Sequence, residues 1–133
     1  MSRILIVDDD YSMRTALSQS LESCGYSVET AQNGEEALSM FQKGKYEAVI
    51  TDMRMPKISG LDVLRGVKKV SPQTAVILIT AYGTVNTAVE AMKEGAAEFI
   101  MKPFSLSDLE SVVKGVLSAN GDSQKSDTQG EVR

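Results

Sequence analysis

The sequence predicts an α/β fold, an open parallel sheet covered by helices on both faces, and three observations predict it. Short apolar runs recur along the chain without clean alternation, as strands buried on both sides require. Stretches with helical spacing separate those runs. Helix start and stop signals fall at the joints between the two. Strands alternating with helices of this length imply right-handed crossovers within one sheet.

Residues 4–7, Ile-Leu-Ile-Val, form the first strand, and Met13, Leu17, Leu21 and Cys24 mark the apolar side of the helix after it. Cys24 is expected to be a small core residue there. Residues 27–31 make a weaker second strand. Asn33, three residues before Glu36, then opens a helix carrying Ala37, Leu38 and Phe41. Residues 48–51 are the third strand, and Ser59 before Asp62 caps a helix with Leu61, Leu64, Val67 and Val70. The fourth strand is 75–80, followed by a helix whose apolar spacing is Val85, Val89 and Met92. The fifth strand is 97–101, and Ser105 before Asp108 starts the last helix, with Leu109, Val113, Val116 and Leu117. Gly25, Gly44 and Gly95 stand where helices should end, and Pro72 follows the third. The expected arrangement is a doubly wound, flavodoxin-like (βα)5 sheet of order 2-1-3-4-5. Residues 1–118 form one domain, and the polar stretch 119–133 reads as a tail or linker stub.

Composition narrows the functions. A length of 133 residues suits one domain, and 42% apolar with 24% charged residues is the balance of a globular protein. No apolar run approaches a membrane span, and the N-terminus lacks the pattern of a signal peptide, so a cytoplasmic protein without membrane contact is expected. The net charge of −4 argues against direct contact with nucleic acid by this domain. The absence of histidine removes Ser-His and Cys-His catalytic pairs and the usual zinc sites.

The chemistry concentrates at strand ends. Ligands of an open α/β sheet bind beyond the carboxyl ends of the strands where strand order reverses, here between the first and third strands. The first strand ends in Asp8-Asp9-Asp10 and the third in Asp52, while Thr80 and Lys102 end the fourth and fifth. Carboxylates gathered in a crevice repel one another, and a hard divalent cation such as Mg²⁺ resolves the conflict. Asp52 is then a candidate nucleophile for an aspartyl phosphate, with Lys102 and the Thr80 hydroxyl available to phosphoryl oxygens. Blander readings stand beside these. Asp10 is read first as a turn former or helix cap, Thr80 alone could be an ordinary strand residue, Lys102 alone a solvated charge, and Phe99 a static core aromatic. Met53, Met55 and Met92 are read as packing residues. A calcium loop at Asp8, Asp10 and Ser12 fails, because Met13 and Gln19 occupy positions that need glycine and glutamate. A glycine-rich nucleotide loop is missing after the first strand, and a flavin phosphate would meet three aspartates.

Over residues 3–118 the chain resembles the receiver domains of two-component response regulators. The resemblance rests on Ile6-Val7-Asp8-Asp9-Asp10, on Thr51-Asp52-Met53-Arg54-Met55-Pro56 through Gly60-Leu61, on Ile79-Thr80-Ala81, and on Phe99-Ile100-Met101-Lys102-Pro103-Phe104. It implies that Asp52 accepts a phosphoryl group from a sensor histidine kinase. It implies further that Asp8, Asp9, Asp52 and the Arg54 carbonyl hold Mg²⁺, and that Thr80 and Lys102 bind the phosphoryl group. Phe99 becomes a switch aromatic with Thr80, the Lys102–Pro103 bond is cis, and the face of helix four, strand five and helix five changes shape and could pair two copies. The stretch from Ile79 to Val85 and from Ala91 to Ala96 looks most like the nitrogen-regulatory, sigma-54-activator subfamily, whose receivers precede an ATPase and a DNA-binding domain. Arg54 and Tyr82 are bulky, and both are expected to shield the acyl phosphate from water. Two rivals stand beside this reading. One is a haloacid-dehalogenase-like phosphohydrolase using Asp8 as nucleophile, which leaves Asp52 without a role; the other is a pseudo-receiver acting only as an interaction module.

Overall fold

A computed structural model of the chain describes residues 2–81 and 85–122. Strands and helices alternate as β1 (Arg3–Val7), α1 (Tyr11–Ser23), β2 (Ser27–Ala31), α2 (Gly34–Lys43), β3 (Ala48–Asp52), α3 (Gly60–Val70), β4 (Ala75–Thr80), α4 (Val85–Lys93), β5 (Glu98–Met101) and α5 (Leu106–Asp122). The five strands are parallel in the order β2-β1-β3-β4-β5, as expected.

Successive strand residues point to opposite faces, and the two cores follow from that alternation. Leu5, Val7, Val49, Val76 and Leu78 pack with Ala37 and Phe41 of α2, Val63, Leu64 and Val67 of α3, and Ala91 of α4. Ile4, Ile6, Ile50, Ile77 and Ile79 pack instead with Leu17 and Leu21 of α1 and Leu109 and Val113 of α5. Helices α1 and α5 therefore cover one face, and α2, α3 and α4 the other. Each fully buried Leu or Ile contributes roughly 1.5–3 kcal/mol relative to an exposed one, and both faces of β1, β3 and β4 are buried to their tips. That burial fixes where the strand ends sit.

The predicted caps form as backbone donors find side chains. Asn33 accepts from the Glu36 amide at 2.7 Å, Ser105 from the Asp108 amide at 2.9 Å, and Ser59 with Asp62 makes a reciprocal capping box. Gly25 and Gly95 follow helix ends at φ +98° and +104°, a conformation that side-chain-bearing residues adopt at a cost.

Three expectations need correction. Cys24 is exposed and caps the C-terminus of α1 rather than entering the core. Val70 is exposed, and Val63 takes the buried place on α3. The apolar stripe of α4 faces outward, with Val85 80%, Val89 46% and Met92 49% exposed, while Ala91 turns inward. Periodicity identifies residues that share a helix face, but not which face meets the sheet. α5 runs to Asp122, so residues 119–122 continue the helix past the expected start of the tail. The rest of that tail, 123–133, and Tyr82 lie outside the described residues. Among the described residues no helix is long and apolar enough to cross a membrane.

Candidate phospho-acceptor site

β1 and β3 lie side by side, Val7 opposite Thr51, so the residues that follow or end them emerge together. Asp8 is reached one step beyond β1, its amide donating to the Ala31 carbonyl at 3.2 Å, and Asp52 is the last residue of β3. Asp8 and Asp52 are buried, at 2% and 9% exposure, whereas Asp9 is exposed. One carboxylate oxygen from each of Asp8, Asp9 and Asp52 lies within 4.8 Å of the others. Lys102 arrives from the end of β5, where its amide donates to the Thr80 carbonyl at 2.8 Å, and its Nζ lies 3.5 Å from Asp52 Oδ1. Thr80 is buried at the end of β4, beside Asp52's strand.

The β1–α1 turn is built from the aspartates themselves. The Asp10 amide donates to Asp8 Oδ1 at 2.8 Å, and Asp10 Oδ1 accepts from the Ser12 amide at 2.9 Å. Asp10 thus caps α1, as expected of a turn former or helix cap. On the other side, the turn after β3 folds back because the Gly60 amide donates to the Met53 carbonyl at 2.9 Å. A Cβ at Gly60 would stand 2.5 Å from the Asp52 carbonyl oxygen and 2.8 Å from Met53 Cα, so only glycine lets α3 begin this close to the acceptor.

Electrostatics reflects the crowding. Burial pushes the Asp8 carboxyl up to about 6, the Asp10 amide opposes that, and the neighbouring Asp52 charge adds to it. Burial also raises Asp52, with Lys102 pulling it down and Asp9 pushing it up. Three carboxylate oxygens gathered this closely, two of them on the buried Asp8 and Asp52, are a donor set for a hard divalent cation. The residues present therefore fit Mg²⁺.

The remaining expected residues are spread around this centre. Arg54 is exposed in the loop after β3, lining a shallow hollow with Met53, Met55, Pro56 and Ser59. Phe99 is half-buried on β5, opposite Leu78, against the core beneath α4. The Lys102–Pro103 bond is cis. Sequence reasoning missed Arg14, whose Nη1 donates to the Asp8 carbonyl at 2.7 Å and braces the acidic turn. Its place in the first turn of α1 was the available signal, but nothing in the spacing says that a flexible side chain folds back.

Comparison with known proteins agrees with this architecture. The response regulator receiver domain profile matches residues 4–114. The DNA-binding transcriptional regulator NtrC of Azospirillum brasilense is 39% identical over 117 residues, covering 88% of this chain and 24% of that protein. Regulatory protein AtoC of Escherichia coli K12 is also 39% identical, with 88% and 25% covered. This chain thus spans about a quarter of the length of those relatives. Among solved structures, a CheY-like receiver domain protein of Methanospirillum hungatei superposes with a TM-score of 0.89 at 31% identity, covering 92% of this chain and 98% of that one. The beryllofluoride-activated NtrC4 receiver domain dimer gives 0.85 at 37% identity, covering 90% and 99%.

Proposed function

The chain belongs to the response regulator receiver family, and from that premise we propose that it is a phospho-acceptor switch whose acceptor is the Asp52 carboxylate. The observation that carries this reading is the convergence of Asp8, Asp9 and Asp52, with Lys102 directed at Asp52. It gives Asp52 the role that the phosphohydrolase alternative left empty.

The donor is the phosphohistidine of a sensor histidine kinase. An Asp52 oxygen attacks phosphorus as the bond from phosphorus to the donor nitrogen breaks, and the electron pair of that bond returns to the imidazole. Asp8, Asp9, Asp52 and the Arg54 carbonyl would hold Mg²⁺, which when bound offsets negative charge on the phosphoryl oxygens. The Lys102 ammonium neutralises one phosphoryl oxygen, and the Thr80 hydroxyl donates to another. Burial of Asp8 and Asp52 keeps these charges in a medium where they act strongly.

Once phosphorylated, Asp52 draws Thr80 toward it, Phe99 turns into the space vacated, and the α4–β5–α5 face changes shape. That face already exposes Val85, Val89, Met92, Met101 and Leu106, an apolar patch suited to a partner surface. A second copy of the chain is the partner we favour, and the dimeric NtrC4 receiver supports that choice. Residues 1–118 serve as the receiver in the cytoplasm, and 119–133 as a tail or linker stub. DNA contact, where it occurs, belongs to other parts of such proteins, since the charge of −4 repels phosphate.

Reductive trapping of the acyl phosphate followed by peptide mapping tests the assignment. The mark should fall on residue 52; a mark on residue 8 would restore the hydrolase mechanism. Failure to bind Mg²⁺ or beryllofluoride would leave a pseudo-receiver.

A further inference from the structure

Helix α4 is held to the sheet by little apolar surface. Ala91 is the one buried side chain among its described residues, and the larger Val85, Val89 and Met92 face outward. A methyl group offers a small part of the apolar area that usually anchors a helix. Something else must hold the helix in register.

A charge cluster centred on Arg65 of α3 joins α4 to its neighbouring helix. Arg65 Nε donates to Glu94 Oε1 at 2.9 Å and Nη2 to Glu94 Oε2 at 2.8 Å, a two-pronged fork just beyond the C-terminus of α4. Nη2 also lies 3.6 Å from Glu90 Oε2, one turn earlier on α4. Nη1 donates to Asp62 Oδ1 at 3.3 Å, which steadies the guanidinium from its own helix. Arg65 holds the Glu94 carboxyl below its usual range, as a working pair requires. The frame that carries Arg65 is tied to the acceptor, because Asp62 closes the capping box of α3 and Gly60, its first residue, sits against the Asp52 carbonyl.

We propose that Arg65 is a latch that fixes the resting position of α4 and so sets how readily the domain enters its switched form. The proposal rests on the phospho-acceptor reading and adds a regulator to it. A contact present in the resting form alone lowers the population of the switched form, and the apparent affinity of any ligand that selects the switched form falls by the same factor. Exposed ion pairs are individually weak, so the expected factor is about two to five. Salt screens such pairs, so the factor should shrink as ionic strength rises.

The test compares unaltered protein with Arg65→Ala, Glu94→Gln and the double variant. Amide hydrogen exchange across residues 85–93 and the beryllofluoride dissociation constant at saturating Mg²⁺ are the two readouts. Both single variants should quicken exchange in α4 while β1, β3 and β4 stay protected, and beryllofluoride should bind about two- to fivefold more tightly. The double variant should match Arg65→Ala, since that substitution already removes the Glu94 interaction along with those to Glu90 and Asp62. Unchanged α4 exchange, or quickened exchange with unchanged beryllofluoride affinity, would overturn the latch while leaving the acceptor assignment intact. Failure of the unaltered protein to bind beryllofluoride would overturn the acceptor reading and the latch's regulatory role with it.

Discussion

Lys102 Nζ lies 3.5 Å from Asp52 Oδ1, although the two residues come from β5 and β3 and β4 runs between those strands. A long side chain reaches across a strand end to a buried carboxylate. Lys102→Ala should therefore reduce phosphoryl incorporation from acetyl phosphate by about 10²-fold or more, as loss of a preorganised charge does elsewhere. The fold should persist, because the Lys102 side chain is only partly buried. Incorporation kinetics beside a circular dichroism spectrum checks both; an undiminished rate would remove Lys102 from the mechanism.

Asp8 gives the metal-free protein a pH signature. Its carboxyl is pushed up to about 6 in the folded state, above the unfolded value near 3.9, so the folded state binds the proton more tightly. The linked stability is fully present below the unfolded value and is lost as pH rises through about 6, on the order of 3 kcal/mol in all. Asp52 is shifted in the same direction. Asp8→Asn keeps an acceptor for the Asp10 amide and removes the charge, so it should flatten this decline between about pH 4 and 7. Urea denaturation in EDTA across that range decides, and a variant whose slope equals that of the parent would show that Asp8 is not its source.

Gly60 is where α3 meets the acceptor. Gly60→Ala places a methyl group 2.5 Å from a backbone oxygen and 2.8 Å from a backbone carbon, neither of which can rotate aside. Destabilisation of about 2 kcal/mol is expected, as for other overpacked sites. Chemical denaturation measures it, and a neutral substitution would mean that the turn relaxes freely.

Arg54 stands exposed two residues after Asp52, and we propose that its bulk shields an acyl phosphate there from water. Arg54→Ala should shorten the lifetime of the phosphorylated form severalfold, measured by loss of the phosphoryl group after removal of donor. An unchanged lifetime ends the shielding idea.

The strands, their order and the convergence of Asp8, Asp9 and Asp52 were legible in the sequence for one reason. Topology alone carries a strand's last residue to the edge where ligands bind, and Asp52, Thr80 and Lys102 each follow an unmistakable apolar run. Capping was legible too, since Ser59 and Asp62 announce each other at fixed spacing. Contacts made by long side chains across elements left no such trace. Arg65 reaching Glu94 and Arg14 reaching the Asp8 carbonyl depend on rotamers and helix packing, to which no periodicity corresponds. The outward turn of Val85, Val89 and Met92 was hidden differently, because a stripe names its members and not its direction. Cys24 failed at a boundary, one residue beyond the helix that would have buried it.

Asp52 should take up phosphate only when a divalent cation sits at the acidic cluster. Intact-mass measurement after incubation with acetyl phosphate and Mg²⁺ decides this. One added phosphoryl group is predicted, absent in EDTA and absent in Asp52→Asn. Equal incorporation by Asp52→Asn, or by the unaltered protein in EDTA, would contradict it.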